Sequence, residues 1–304
     1  MTGNFENMND AGWNGDLPSM FQGGATAWPF ADVGTVYTTN KVVYLSPSFY
    51  GFEGGLSYAP NSNALSNVSG CTFSMASVGC DRLNSIDSNG NTQEQRRQQN
   101  FIEAMARYRG NFNGVGISAY GGWMGSNSIN DNNTLHTTVL PTITYKNNSI
   151  GVGGAQISYA GFAVGGMVQA GDYNKGFAPA PQGTDAAVAW LVGASYTTGP
   201  IIVGGSYFEF TSPGSYVPGG NASATVNVGK ERKERGLALG GTYAVAPGFS
   251  LFLSYLWGDA HQDNVNLLTG QNNCTGIFGS GSSSGCVKNT VTVQAVSIGT
   301  QLRW

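Results

Sequence analysis

The side chains of this sequence that could do chemistry are few, and their spacing favours electrostatics over catalysis. Two histidines, His136 and His261, are the only imidazoles in 304 residues. Both fall in stretches read as loops, without the Ser/Asp or Cys setting that a nucleophilic triad requires. The cysteines fall as Cys71 with Cys80 and Cys274 with Cys286, each pair inside a polar Gly/Ser/Asn-rich stretch. Two short-range disulfides in an oxidising compartment suit that placement, although four cysteines allow three pairings. Zinc is the competing reading, but neither spacing is that of a zinc knuckle and no histidine lies near. Asp131, Asn132 and Asn133, or Asp259 and Asp263, offer oxygen ligands to calcium without the spacing of a known calcium loop. The run GSGSSSG at Gly279 to Gly285 is flexible loop, since no P-loop Lys-Ser/Thr follows it. The sequence therefore implies no metal and no cofactor. What remains is a set of charges: Lys41, Glu53, Glu103, Arg107 and Arg109, and a group of carboxylates, Glu6, Asp10, Asp16 and Asp32, near the start.

The segments that position these charges alternate with period two. In NFIEAMARYRG, Ile102, Ala104, Ala106 and Tyr108 alternate with Phe101, Glu103, Met105, Arg107 and Arg109, and its three charges share a face only in a strand. FSLFLSYLWG sets Phe249, Leu251, Leu253, Tyr255 and Trp257 against Ser250, Phe252, Ser254 and Leu256. AAVAWLVGASY sets Val188, Trp190, Val192, Ala194 and Tyr196 against Ala187, Ala189, Gly193 and Ser195. GLALGGTYAV repeats the device with Leu237, Leu239, Tyr243 and Val245. Such segments predict eleven strands, at 40–47, 51–60, 100–110, 114–125, 152–160, 162–171, 185–198, 200–211, 232–246, 248–259 and 289–304. Short turns at Ser48 to Tyr50, Asn111 to Asn113, Gly161, Gly199 and Pro247 alternate with long polar segments at 61–99, 126–151, 172–184, 212–231 and 260–288. Short turns at one end and long loops at the other are the asymmetry of outer-membrane barrels.

Composition agrees. Only 10% of residues are charged and 46 are Gly, whereas a soluble domain usually carries about 25% charged residues. Mean hydropathy decides nothing, because a membrane barrel alternates lipid-facing and water-facing residues. No apolar run is long enough for a membrane-spanning helix, which leaves the closed barrel as the spanning option. A formal net charge of -3 argues against a general nucleic-acid binder. Aromatics cluster near strand ends on the apolar face, among them Phe52, Tyr58, Tyr159, Phe162, Trp190, Tyr243, Trp257 and Trp304, as rings with one wet and one greasy end do at membrane interfaces. The opposite faces read as Gly, Ser, Gln, Glu and Arg, which suits a watery lumen. The expectation is an all-β, antiparallel transmembrane β-barrel.

The run KVVYLSPSFYGFEGGLSYAP (Lys41 to Pro60), the hairpin GGAQISYAGFAVGGMVQAGDYN (Gly153 to Asn174) and the terminal VSIGTQLRW resemble the Gram-negative general porins, particularly those of alphaproteobacteria. The resemblance spreads over essentially the whole chain. It implies a passive diffusion channel for small hydrophilic solutes and ions, an integral place in the outer membrane beside lipid and lipopolysaccharide, and a homotrimer. The terminus, where Val296, Ile298, Thr300, Leu302 and Trp304 alternate with Ser297, Gly299, Gln301 and Arg303, resembles the strand that the barrel-assembly machinery recognises, with Trp where the family usually has Phe. The family also has sixteen strands and folds its third external loop into the lumen between the fifth and sixth. Residues 1–38 resemble that constriction loop, which makes 39–304 strands six to sixteen of one barrel. Met1, with no signal peptide after it, is then an internal position of a longer protein. Under this reading Glu6, Asp10 and Asp16, with Asp32 behind them, face Lys41, Arg107 and Arg109 across the pore, with Glu53 and Glu103 beside the cations. Opposed charges in a confined watery gap create a transverse field that orders water and biases ion choice. Solvated turn carboxylates are the bland alternative.

Three other readings compete. A substrate-selective channel would show a long lumen ladder of aromatics or of Lys/Arg, and the sequence displays neither. A surface adhesin would repeat at a fixed period, and no constant period occurs. A barrel serving as anchor or receptor through its long loops is compatible with a pore.

Overall fold

The computed structural model describes residues 41–61, 98–128, 145–174, 180–214, 231–262 and 290–302. They form eleven strands: β1 Val42–Leu45, β2 Phe52–Asn61, β3 Gln98–Phe112, β4 Val115–Ser128, β5 Asn148–Tyr159, β6 Phe162–Asp172, β7 Ala187–Thr198, β8 Ile201–Ser212, β9 Arg232–Ala246, β10 Phe249–Gln262 and β11 Thr290–Leu302. Each pairs antiparallel with its neighbours in sequence, so the sheet order is the chain order from β1 to β11. Among the described residues β1 and β11 do not pair with each other, and the sheet stays open.

Every strand expected from alternation occurs. The larger differences lie at the ends facing the long connections, where β3 starts at Gln98, β4 runs on to Ser128, β5 starts at Asn148 and β10 reaches Gln262; at the short-turn ends β1 stops early, at Leu45, and β3 runs on to Phe112. Polar runs such as Gln98 to Asn100 and Ser126 to Ser128 carry ladder hydrogen bonds without any apolar alternation to announce them. The segments 1–38, Cys71, Cys80, Cys274, Cys286, Asp131 to Asn133, His136, Asp263, Arg303 and Trp304 lie outside the described residues.

The turns fix the register. Tyr50–Gly51, Asn113–Gly114 and Ala160–Gly161 each place two residues at positive φ, near 48–51° and then 85°. This mirror-image turn matches the right-handed twist of the strands it joins. The first two centre one or two residues later than the sequence suggests, because the glycine takes the second central place. Gly51 is required twice over: its φ is +85°, and a Cβ there would lie 2.2 Å from the Arg109 carbonyl oxygen. Two bulges punctuate the ladder. Gln99 to Ile102 on β3 spans three steps against two on β4, with Asn100 at φ 54°, and one extra residue of β9 is inserted opposite Phe249/Ser250.

Alternation sorts the side chains into two unlike faces. One is exposed and apolar across the sheet, with Leu56, Ile102, Trp123, Ile157, Val164, Val192, Val203, Leu239, Leu253 and Ile298 among its members. An apolar surface this extensive is not stable in water, and hydrocarbon is the solvent that suits it. All strands except β1 have at least ten residues, the length that a tilted strand needs to cross a bilayer. On β9 the residues from Leu237 to Val245 stay free of charge; at about 3.3 Å per residue and a tilt of about 40° they rise about 23 Å, close to a bilayer's apolar band.

Gly51 and Gly199 offer a test of this turn logic. Both have positive φ, but a Cβ at Gly199 meets nothing within 4 Å. Gly199→Ala is expected to cost about 1 kcal/mol, the strain of a left-handed residue, and Gly51→Ala clearly more. Urea unfolding of the refolded protein would read both, and equal losses would rule out the close approach to Arg109.

Candidate functional site

The face of β1 to β3 opposite the apolar one gathers the five sequence-predicted charges that fall in the described residues. Arg107 stands opposite Glu53 and Glu103 opposite Ser57 in the β2/β3 register. The Arg107 guanidinium donates to Glu53 Oε2 through both Nε and Nη2, with the side chains 28% and 30% exposed. A pair this wet contributes little to stability, so its interest is the charge it holds in place. Ser57 Oγ donates to Glu103 Oε2 at 2.7 Å. Arg109 is exposed two residues along from Arg107, opposite Ser118. Lys41 precedes β1 in phase with Val43, the partner of Ser57, and so belongs to the same face. The four carboxylates expected to oppose them, Glu6, Asp10, Asp16 and Asp32, lie outside the described residues.

The aromatics sit on the other face, as alternation requires. Tyr58 and Tyr243 are 44% and 48% exposed, and the Tyr58 hydroxyl donates to Asn100 Oδ1 at 3.0 Å. Trp190 and Tyr207 approach with ring centroids 5.4 Å apart, and Trp257 lies opposite Leu237. Just beyond these rings, toward the long connections, the exposed face turns charged. Arg235 lies between Glu209 and Asp259 in register and donates to Asp259 Oδ1 through Nε at 3.0 Å and Nη2 at 2.7 Å. Aromatics followed by charges mark the edge of the apolar band. His261 belongs to β10, where the sequence suggests a loop, and its Nδ1 lies 2.8 Å from Thr290 Oγ1. Among the described residues no three His, Cys, Asp or Glu side chains come together as a metal site would need.

The covered face is not polar throughout, which corrects the expectation of an all-polar lumen side. Toward the long-connection ends of β5 to β10 it carries a packed apolar cluster of Ile150, Met167, Leu191, Phe208, Phe210 and Leu256 with small Ala187, Ala189 and Ala238. The sequence hides it because no strand contributes more than two of the large residues, set among Gly, Ser and Ala. Roots of the long connections fold over it. Tyr173 stacks on Phe210 with centroids 5.9 Å apart, and burial pushes its phenol pKa well up. Asn174 and Gly214 exchange hydrogen bonds across the end of β7, Nδ2 to the Gly214 carbonyl at 2.8 Å and the Gly214 amide to Oδ1 at 3.0 Å. Gly214 has φ +73°, and a Cβ there would strike Gln262 and Arg232 at 2.5 and 2.6 Å. Lys146 Nζ joins three strand ends by donating to Asp172 Oδ1 at 2.8 Å and to the Thr184 carbonyl at 2.7 Å.

Beside this clasp lies a buried ion pair, with Arg232 Nε donating to Glu234 Oε1 at 2.6 Å and side chains 4% and 0% exposed. Sequence reasoning misses it, though the signal is present: in ERKERG, period two puts Arg232 and Glu234 on one face and Lys233 and Arg235 on the other. The clasp has no such signal, since its partners are 40 residues apart.

A wall of membrane-length antiparallel strands, apolar toward lipid and charged on its other face, defines an outer-membrane β-barrel protein. The chain belongs to the Gram-negative porins, whose family model matches residues 2–263, and it is an integral protein of the outer membrane. No curated protein matches it in sequence. Among solved structures it is similar to OmpT of Vibrio cholerae, an outer-membrane protein, at 13% identity and TM-score 0.45 over 87% of this chain and 64% of that one. It is also similar to an anion-selective porin from Comamonas acidovorans, at 13% identity and TM-score 0.41 over 86% of this chain and 57% of that one. The chain thus spans less than two thirds of the length of either.

Breaking the buried pair from one side is expected to be costly. Arg232→Met leaves Glu234 without its guanidinium and should lose about 3–5 kcal/mol, while Arg232→Met combined with Glu234→Leu should lose far less. Denaturant unfolding in detergent distinguishes them, and equal losses would mean that Glu234 left without its partner carries no penalty of its own.

Proposed function

We propose that the protein forms a passive, water-filled channel that lets small hydrophilic solutes and ions cross the outer membrane, without a catalytic step. One observation carries this reading: a sheet whose apolar face suits lipid holds Lys41, Glu53, Glu103, Arg107 and Arg109 on the opposite face. Ionised groups at membrane depth need water beside them, and the 28–30% exposure of the Arg107–Glu53 pair leaves it open to such water. That face is then the lumen wall. Below the apolar cluster it is floored by small or polar residues such as Ser118, Gln156, Gly165, Gly193 and Ser206, which leave room for solute.

In the same reading residues 1–38 are the constriction loop, and Glu6, Asp10, Asp16 and Asp32 supply the negative side of a transverse field whose positive side is Lys41, Arg107 and Arg109. The described strands are then six to sixteen of a sixteen-stranded barrel. Pairing of Cys71 with Cys80 and of Cys274 with Cys286 would staple two long loops. A homotrimer, contact with lipopolysaccharide and delivery by the barrel-assembly machinery through the last strand complete the assignment.

Planar-bilayer recording tests it. The protein should give steady conductance without an energy source, and Arg107→Ala with Arg109→Ala should move the reversal potential in a salt gradient toward cation preference. An unchanged reversal potential would remove these arginines from the selectivity wall, and a lack of conductance would overturn the channel itself.

A further inference from the structure

At the ends facing the long connections, β4 to β8 are tied to one another beyond the ladder. Residues 145–147, which lead into β5, pair with residues 180–182, which lead into β7, although β6 lies between those two strands in the sheet. Tyr145 and Pro181 form an antiparallel bridge, the Lys146 amide donates to the Ala180 carbonyl at 2.8 Å, and Gln182 Nε2 donates to the Tyr145 carbonyl at 3.2 Å. The crossing is buried, with Tyr145 and Ala180 at 5% and 0% exposure. The end of β4 joins it, since the Ser128 amide donates to Asn147 Oδ1 at 3.0 Å and the Ser128 hydroxyl donates to the Lys146 carbonyl.

Lys146 bolts this crossing to β6 through Asp172 and to the start of β7 through the Thr184 carbonyl. Two residues past Asp172, Asn174 makes its reciprocal bonds with Gly214 at the end of β8. Between bolt and clasp stands Tyr173, 2% exposed and stacked on Phe210. Three consecutive residues are thus held from three sides: Asp172 by the residues before β5, Tyr173 by the packed cluster, Asn174 by the residue after β8. Gly171, just before them, has φ +153°, and a Cβ there would lie 2.0 Å from the Ser149 carbonyl oxygen. The backbone of β6 therefore presses directly on β5 at this point and has no slack to take up a shift.

We propose that these strand ends form one collar, in which the bolt at Lys146 and the clasp at Asn174 open together through the segment Asp172 to Asn174 and not as separate latches. A segment this short, packed at its centre, is either seated or released, because a close-packed interior does not deform by degrees. Release of Tyr173 removes the seat of both its neighbours, and loss of either neighbour weakens the seat of Tyr173. Contiguous elements that open in this way form a cooperative unit, and coupling between its two ends is reciprocal. The connections that follow β4, β6 and β8 then rise from a common base, and a partner that grips one of them acts on the others. The inference rests on contacts of the rim alone and stands apart from the channel reading.

Hydrogen–deuterium exchange read residue by residue, on protein purified from outer membranes in detergent, tests the collar at two amides with different acceptors: that of Lys146, bonded to Ala180, and that of Gly214, bonded to Asn174. Lys146→Met removes the bolt and is expected to speed exchange at Gly214 about tenfold, the order that loss of one charged hydrogen bond supports. Asn174→Ala frees the Gly214 amide directly, so its informative reading is the amide of Lys146, which should quicken by a similar factor. Lys146→Arg, which keeps charge and donors, should leave Gly214 near its native rate. The amide of Leu191, in the middle of β7, should stay protected throughout and show that the wall is intact. Faster exchange confined to the substituted end would make bolt and clasp independent and overturn the collar, as would unchanged exchange at both ends. The two variants act from opposite ends, so either decides the matter alone if the other does not fold.

Discussion

Everything in this molecule follows from a backbone that has no water to bond to at membrane depth. Each peptide group left unpaired in hydrocarbon costs several kcal/mol, so the strands must run side by side with complete ladders, and here every neighbouring pair in sequence is also a neighbouring pair in space. Once the ladder is obligatory, the side chains can do only what a pleat allows: along each strand, successive residues go to opposite solvents. The exposed Val164, Val192, Leu253 and Ile298 and the covered Arg107, Gln156 and Ser254 are two readings of one periodicity.

Within that frame the covered face divides its labour. Its β1 to β3 section holds ionised groups open to water, while the upper part of β5 to β10 is packed as tightly as the core of a soluble domain, with Leu191, Phe208, Phe210 and Leu256 at 1–2% exposure. The packed part anchors the roots of the long connections through Tyr173, Asn174 and Gly214. A membrane barrel has little hydrophobic drive between protein and lipid, so an internal core of this kind gives the loop ends something to fold against. The buried Arg232–Glu234 pair sits at the margin of that core, where a lone charge would be intolerable and a matched one is accommodated.

Most of the architecture is legible in the residues. Strict alternation around Glu103, Arg107 and Arg109 places those charges on one face, and turn glycines such as Gly51, Gly114 and Gly161 announce the tight ends. Alternation fails where both faces are polar, as at Gln98 to Asn100, because the ladder needs no apolar residue there. It also fails for the covered apolar cluster, whose members come from six strands and are brought together only by register. The close approach of Tyr120 to the Gly154 backbone is similarly hidden: it depends on Gly154 being directly opposite, a fact of pairing and not of composition. His261 reads as loop because its strand end has no apolar neighbours to extend the pattern.

A wall built as a strict meander has one further property. Because each described strand pairs only with its predecessor and successor, a whole hairpin can be duplicated or deleted with new pairing at a single seam. The circumference of a barrel closed from such a wall then changes by two strand widths, about 9–10 Å, and its diameter follows linearly. Gene-level copying of a unit such as β5–β6, with its self-contained Ala160–Gly161 turn, is thus a direct route from a narrower barrel to a broader one, while single-residue insertions are absorbed at bulges like that of Asn100. Aperture and chemistry can evolve separately in such a wall, the first by counting hairpins and the second by exchanging side chains along a fixed row.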